Sequence, residues 1–272
     1  MTKTKDASSA KSMIERLLRD KVIPDLVESV DAPFVSPVFD GTKTQVAVFE
    51  FNEIIAFANL LIEGREDEAL LYSKSLLSKG FTSKQVILDF LGPVASLLGD
   101  MWCNDTCSFA DVTLGLSSLH KILRLVSRSL KHELNQVGNN DKVMLTAMPG
   151  DTHIFGLAVL EVFFAESGWR VDALFDRSFS KIIQQTAESA YCIVGLSVSC
   201  DGDLEKCKHL ITQIRKNSKN RNIKIIVGGP AFFGRENLFE ALKADSYAYN
   251  AIHALEVAGV SNNRSITNDS VR

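Results

Sequence analysis

The chain has 272 residues, of which 46% are hydrophobic and 23% charged, and a formal net charge of −3. That length allows two domains, each with its own core, and the composition is that of a soluble globular protein. A weakly acidic balance argues against a protein that coats nucleic acid non-specifically, while leaving room for a local basic patch.

No apolar run approaches the roughly 18 residues of a membrane span, and Met1–Ala10 carries no signal-peptide core. The expectation is a cytoplasmic protein without a membrane partner. The five cysteines, Cys103, Cys107, Cys192, Cys200 and Cys207, are irregularly spaced and predict reduced thiols. Cys103 and Cys107 are either two ordinary thiols or half of a metal site that no second pair completes.

Residues 1–43 read as a leader. Lys11–Val30 has apolar positions at helical spacing, interrupted at Pro24, and Asp31–Gly41, with two Pro and a Gly, reads as a linker. Such a helix docks on the next domain, swaps into a neighbour or binds a partner. Residues 44–136 follow helical periodicity in four segments. The first runs to Glu63. The second, Arg65–Lys79, opens on Glu66, Asp67 and Glu68 and stops at Gly80, as the helix dipole and the glycine stop rule require. The third follows a cap at Thr82 and passes Gly92-Pro93, where a bend is expected, to reach Trp102. The fourth runs from near Phe109 towards Leu134.

Four helices with short connections predict a bundle. Its core includes Phe90, Val94 and Leu98 on the third helix and Val112, Leu119 and Leu123 on the fourth. Trp102 ends its helix beside the polar turn Asn104–Ser108, so it either plugs the bundle or projects onto a neighbouring domain.

Val137–Asp141 is the predicted boundary. Beyond it, over 140–259, short apolar runs alternate with helical patterns: strands at 142–148, 170–175, 190–197, 223–228 and 246–249, and helices at 155–166, 180–189, 204–216, 235–243 and 252–258. This alternation predicts a doubly wound parallel sheet. The polar tail, 260–272, is expected to be disordered.

Three loops that leave strands carry small or polar residues: Asp151–Gly156, Ser197–Gly202 and Gly228–Phe233. In a parallel sheet all three fall on one edge and bracket one crevice, where open α/β sheets bind ligands. The first strand is not followed by a Gly-x-Gly-x-x-Gly, so a dinucleotide is not the natural occupant. His153 is a candidate metal ligand, with Asp151 as the carboxylate that fixes its tautomer, and Gly156 would let the backbone approach a bulky group. Taken alone, the same residues also suit a helix cap, Asp151, followed by a solvated His.

Asp151-x-His153-x-x-Gly156, then Ser197, then Gly228-Gly229, resembles the family of proteins that bind cobalamin base-off with a histidine below the cobalt. The intervals fit, with 40 residues between Gly156 and Ser197 and 28 between Ser199 and Gly228. Ser199 stands where that family usually has Leu. The resemblance implies that His153 is the lower axial cobalt ligand, that Asp151 orients it, and that the displaced nucleotide tail enters past Ser197, Ser199 and Gly228-Gly229. Leu98-Gly-Asp-Met-Trp102 is similar to the segment that ends a helix of the bundle preceding such domains, with Trp102 over the upper face. The fold expected is therefore α/β: an N-terminal four-helix bundle over 44–136, acting as a cap, followed by a Rossmann-like, flavodoxin-like cobalamin-binding domain.

Methyl-carrying corrinoid proteins share this plan, as do light sensors of the CarH type. In the latter a Glu-His pair follows the Trp by ten and eleven positions; here those positions are Val112 and Thr113. Ser108–Gly115 instead resembles the AerR/PpaA type of antirepressor. That resemblance implies a light-responsive transcriptional regulator of photosynthesis genes, without enzymatic turnover, that acts through a partner repressor and leaves direct DNA contact open. It also implies cobalamin with a small upper ligand, hydroxyl or water, formed when light removes an adenosyl group. Trp102, Val112 and Thr113 are then the upper-face candidates. His120, two turns after Thr113, either reaches that face or is a bundle-edge histidine. The alternative reading is a carrier of methyl groups for a separate methyltransferase.

Overall fold

A computed structural model describes residues 49–135, 141–151, 153–174, 178–235 and 237–266. The expected leader, the linker and the boundary at 137–140 lie outside the described residues. The chain divides into two compact units, Met1–Ile54 and Ile55–Arg272, and from Ile55 onward the described helices and strands belong to the second.

Helix α1 (Phe51–Ile62) is followed by α2 (Glu66–Ser78), whose acidic first turn fits the helix dipole. One of those acids does more: Glu66 accepts hydrogen bonds from Ser118 Oγ at 2.8 Å and Lys121 Nζ at 2.8 Å, which ties α2 to the fourth helix. Helix α3 (Ser83–Cys103) opens on a capping box between Thr82 and Gln85. Glu133, from beyond the fourth helix, accepts the Ser83 and Lys84 N–H groups at 2.7 and 2.9 Å.

The irregularity expected at Pro93 takes the form of a π-helical stretch, Val86–Leu91, inside a continuous helix. A widened turn accommodates the ring, and Gly92 N–H finds the Ile87 carbonyl instead. The 21 residues of α3 are long and apolar enough to cross a membrane. This corrects the expectation that no stretch qualifies. The apolar length serves the bundle: Val86, Ile87, Phe90, Leu91, Val94 and Leu98 are all buried.

Helix α4 (Phe109–Val126) starts on a Ser108–Asp111 capping box and ends in a 3-10 turn, Ser127–His132. It packs antiparallel to α3 with Gly115 against Leu98, where an added Cβ would lie 3.3 Å from the Leu98 side chain.

Strands β1 (Lys142–Ala147), β2 (Arg170–Ala173), β3 (Ile193–Ser197), β4 (Lys224–Gly228) and β5 (Ser246–Ala248) form one parallel sheet in the order β2-β1-β3-β4-β5. This is the flavodoxin-like order, whose topological switch lies between β1 and β3. The central strands are buried on both faces, as their Val, Ile and Leu runs require. The connecting helices are α5 (Phe155–Glu166), α6 (Phe179–Glu188), α7 (Leu204–Asn217), the single turn α8 (Leu238–Ala241) and α9 (Ala251–Ile266). The helix expected at 235–243 is thus reduced to one turn, and α9 continues past Gly259 into the segment predicted to be a disordered tail.

Candidate functional site

The register aligns Ala147, Ser197 and Gly228 side by side, so the loops after β1, β3 and β4 leave the same edge of the sheet. Backbone bonds hold them together beyond the strands: Met148 N–H to the Ser197 carbonyl at 3.0 Å, Val198 N–H to that of Gly228 at 2.9 Å, and Ala231 N–H to that of Val198 at 3.1 Å.

In the first loop Gly150 takes a φ of 87° and the Asp151 N–H closes a turn on the Met148 carbonyl at 3.0 Å. The turn drives the Asp151 side chain inward, leaving it 3% exposed, while the His153 side chain is 60% exposed. Asp151 Oδ1 accepts the His153 backbone N–H at 2.9 Å and lies 3.0 Å from His153 Nδ1. A carboxylate can only accept, so Nδ1 carries the proton and, in the neutral ring, Nε2 presents its lone pair away from Asp151. Helix α5 has no side chain capping its N-terminus. The plain reading of Asp151 as a helix cap therefore fails, because its carboxylate is committed to His153.

Burial alone would push the Asp151 carboxyl up, but the Ser199 hydroxyl and the two His153 donors outweigh it and hold the carboxyl below its usual range. Ser199 Oγ and Asp151 Oδ2 are nonetheless both buried without a partner at full hydrogen-bond geometry. A small movement of either joins β3's loop to β1's in a Ser199–Asp151–His153 chain. The Leu usual at position 199 in the resembling family could not do this; the sequence signal was the departure itself.

The glycines separate into two kinds. A Cβ on Gly228 would meet the Ala248 carbonyl oxygen at 2.5 Å, and one on Gly229, at φ 105°, would meet that of Val198 at 2.6 Å. The chain's own backbone demands both. Gly156 has an ordinary φ, and an added Cβ would meet nothing within 4 Å. Gly156 is itself exposed, so at the start of α5 its side of the helix is open.

Phe155, two residues after His153, is buried and meets the His120 ring edge-on at 5.4 Å. His120 Nδ1 donates to the Leu116 carbonyl at 2.7 Å, which makes it a histidine of the bundle edge. Phe109 precedes His120 by eleven residues, or roughly 16 Å of helix. The 3-10 turn after α4 also packs on α5, so the start of α4 projects past the start of α5.

At that projecting end Trp102 is 42% exposed and Phe109 71% exposed, with rings 6.4 Å apart edge to face. Thr113 is exposed and its hydroxyl donates to the Phe109 carbonyl at 2.7 Å. Val112, expected beside Thr113 at the upper face, is instead buried in the bundle. On a helix successive residues point about 100° apart, so only one of that pair reaches the open side. Phe109, which the sequence reading missed, is marked only by being a large apolar residue at the first position of a helix.

Among the described residues no three His, Cys, Asp or Glu side chains group to hold a metal ion. A metal at His153 would take one ligand from this edge and the rest from a macrocycle or another donor. A buried carboxylate fixing one exposed histidine, two unsatisfied polar atoms behind it and open space at Gly156 fit such a group.

Residues 141–256 match the family model described as the B12 binding domain. An uncharacterized 20.5 kDa protein of the bchF-crtJ intergenic region of Rhodobacter capsulatus is 21% identical over 162 residues, 60% of this chain and 84% of that protein. A corrinoid protein of Desulfitobacterium hafniense strain Y51 is 21% identical over 200 residues, 73% of this chain and 92% of that protein. The monomethylamine corrinoid protein of Methanosarcina barkeri has the same fold, with a TM-score of 0.62 at 15% identity over 77% of this chain and 98% of its own. Residues 141–256, which follow a helical region, thus match the B12 binding domain, and the chain has the fold of a solved corrinoid protein.

Proposed function

We propose that the protein holds cobalamin base-off, with His153 as the lower cobalt ligand, and works as a light-responsive transcriptional regulator through a partner repressor. The observation that carries this reading is the buried Asp151 carboxylate fixing an exposed His153 on the sheet edge beyond which the Trp102–Phe109 end of the bundle projects. Bound as the adenosyl form, cobalamin would supply a cobalt–carbon bond that light can break, leaving a small upper ligand.

Each residue of the edge has its own part. His153 Nε2 is the donor, Asp151 fixes the ring, and Ser199 supports Asp151. The edge between Ser197–Ser199 and Gly228-Gly229 takes the nucleotide tail. Trp102 covers the upper side. A change there is felt at α3 and α4, whose linked ends can shift between two packings and so expose or hide a partner surface. The Rhodobacter capsulatus relative from the bchF-crtJ intergenic region is in keeping with the regulator type that Ser108–Gly115 resembles. The second reading, a methyl carrier without turnover of its own, draws on the Desulfitobacterium hafniense relative named as a corrinoid protein.

The test is hydrogen exchange on protein loaded with adenosylcobalamin, in darkness and after illumination. A regulator changes protection across Gly92–Val126 on illumination. Identical protection in the two states would sink the light-responsive reading and leave the carrier.

A further inference from the structure

At the lip of the edge that would take the tail, two loops are joined by side chains. Arg235, after β4, donates Nη1 to Asp201 Oδ2 at 3.0 Å and Nη2 to Asp201 Oδ1, a two-pronged pair with the loop after β3. Nη2 also donates to the Ala231 carbonyl at 2.7 Å. Ala231 N–H in turn bonds the Val198 carbonyl, so the guanidinium is pinned to both of the loops that continue from Ser197–Ser199 and Gly228-Gly229.

A surface ion pair of this kind contributes little stability, and the pair is exposed, Arg235 at 43% and Asp201 at 65%. It does fix the orientation of the guanidinium. Three of its five N–H donors are used on Asp201 and Ala231; among the described residues the other two, on Nε and Nη1, have no assigned acceptor. Phe233, two residues earlier on the same loop, is 64% exposed. One short loop, leaving this edge of the sheet, therefore presents an exposed apolar ring and an oriented cation.

We propose that Arg235 is a specificity residue that recognises an anionic phosphodiester on the tail of the bound cofactor, with Asp201 holding its fork in place and Phe233 lying along the adjoining apolar part. Arginine suits this role because its charge is permanent and, with its fork held by Asp201, an N–H on Nε and another on Nη1 are each left to donate singly to a phosphate oxygen. The inference rests on the reading of the site as one for base-off cobalamin.

The experiment titrates the full chain with hydroxocobalamin and with aquocyanocobinamide, which lacks the nucleotide and its phosphodiester, and follows the absorption spectrum. Arg235→Gln should weaken hydroxocobalamin binding about tenfold, the scale of one or two charge-assisted hydrogen bonds, and leave cobinamide binding unchanged. Raising the salt should weaken wild-type binding of hydroxocobalamin more steeply than that of Arg235→Gln. Retained cobinamide binding shows that the variant is folded. An equal loss for both ligands would make Arg235 a loop brace, and no loss for either would remove it from recognition; each overturns the proposal. Failure of the underlying reading looks different: wild-type protein would bind neither ligand, or His153→Ala would bind hydroxocobalamin as well as wild type.

Discussion

His153 Nδ1 lies 3.0 Å from Asp151 Oδ1, and the same oxygen accepts the His153 backbone N–H at 2.9 Å. One buried carboxylate thus fixes both the position and the tautomer of an exposed imidazole. Removing the ring should abolish the base-off, histidine-on spectrum: His153→Ala is expected to lose tight cobalamin binding. Asp151→Asn keeps the shape but weakens the acceptor, and should cost roughly 10–100-fold in affinity, as for other second partners of metal-bound histidines. Ser199→Ala should cost less, a few-fold, because its hydroxyl acts only through Asp151. Equilibrium titration of the three variants checks the ranking, and an Asp151→Asn protein that binds like wild type would break the proposed chain.

The two kinds of glycine predict opposite phenotypes. Gly229→Ala forces a Cβ to within 2.6 Å of the Val198 carbonyl at a φ of 105°, and should destabilise the apo-protein by at least about 2 kcal/mol. Gly156→Leu meets open space and lies in a helix, where replacing glycine tends to help, so apo-stability should hold or rise while cofactor binding is lost. Thermal melts of apo-protein beside titrations separate the two. A Gly156→Leu protein that still binds cobalamin would mean that the open side of α5 at Gly156 is not the cofactor's.

What the sequence made legible divides along physical lines. The doubly wound parallel sheet, the three loops on one edge and the Asp151–His153 pair were readable because strand-helix alternation and local spacing constrain them. Helix α8 shrank to one turn because Phe232 and Leu242, on its flanks, are buried in the sheet core and hold the chain between them. Helical spacing put Val112 in the bundle core, where it is, and only the upper-face role implied by its place beside Thr113 fails, because neighbouring helical residues face different sides and the phase of α4 is set by Gly115 packing on Leu98. The Asp201–Arg235 pair joins residues 34 apart in sequence, and side-chain pairing at that range leaves no periodic trace.

Asp89 gives the bundle a pH dependence. It sits half-buried in the π-helical stretch, and burial pushes its carboxyl up to about 6. A folded-state value above the unfolded one means that the folded chain holds the proton more tightly, so the stabilisation is complete below about pH 4 and is lost as the pH rises through about 6. Asp89→Asn should remove this dependence and stabilise the protein near pH 7.5 by on the order of 1 kcal/mol, allowing for partial exposure. Urea unfolding at pH 7.5 and pH 5 checks it. The difference between wild type and variant should narrow at pH 5, and a constant difference would assign the effect to something other than this carboxyl.

Trp102 is the residue on which the upper face can be tested without disturbing the fold. Because its indole is 42% exposed and touches Phe109 edge to face at 6.4 Å, Trp102→Ala should change apo-stability by no more than about 1 kcal/mol. Its effect belongs to the loaded protein. Without the indole, small ligands should reach the upper side more freely, so cyanide should replace the upper water of bound aquocobalamin about tenfold faster, a factor equal to roughly 1.4 kcal/mol of barrier. Phe109→Ala should fall between, since it frees the indole without removing it. Both rates are read from the absorption change on cyanide addition. Replacement at the wild-type rate in Trp102→Ala would place the indole away from the cobalt and return the bundle end to an exposed aromatic surface.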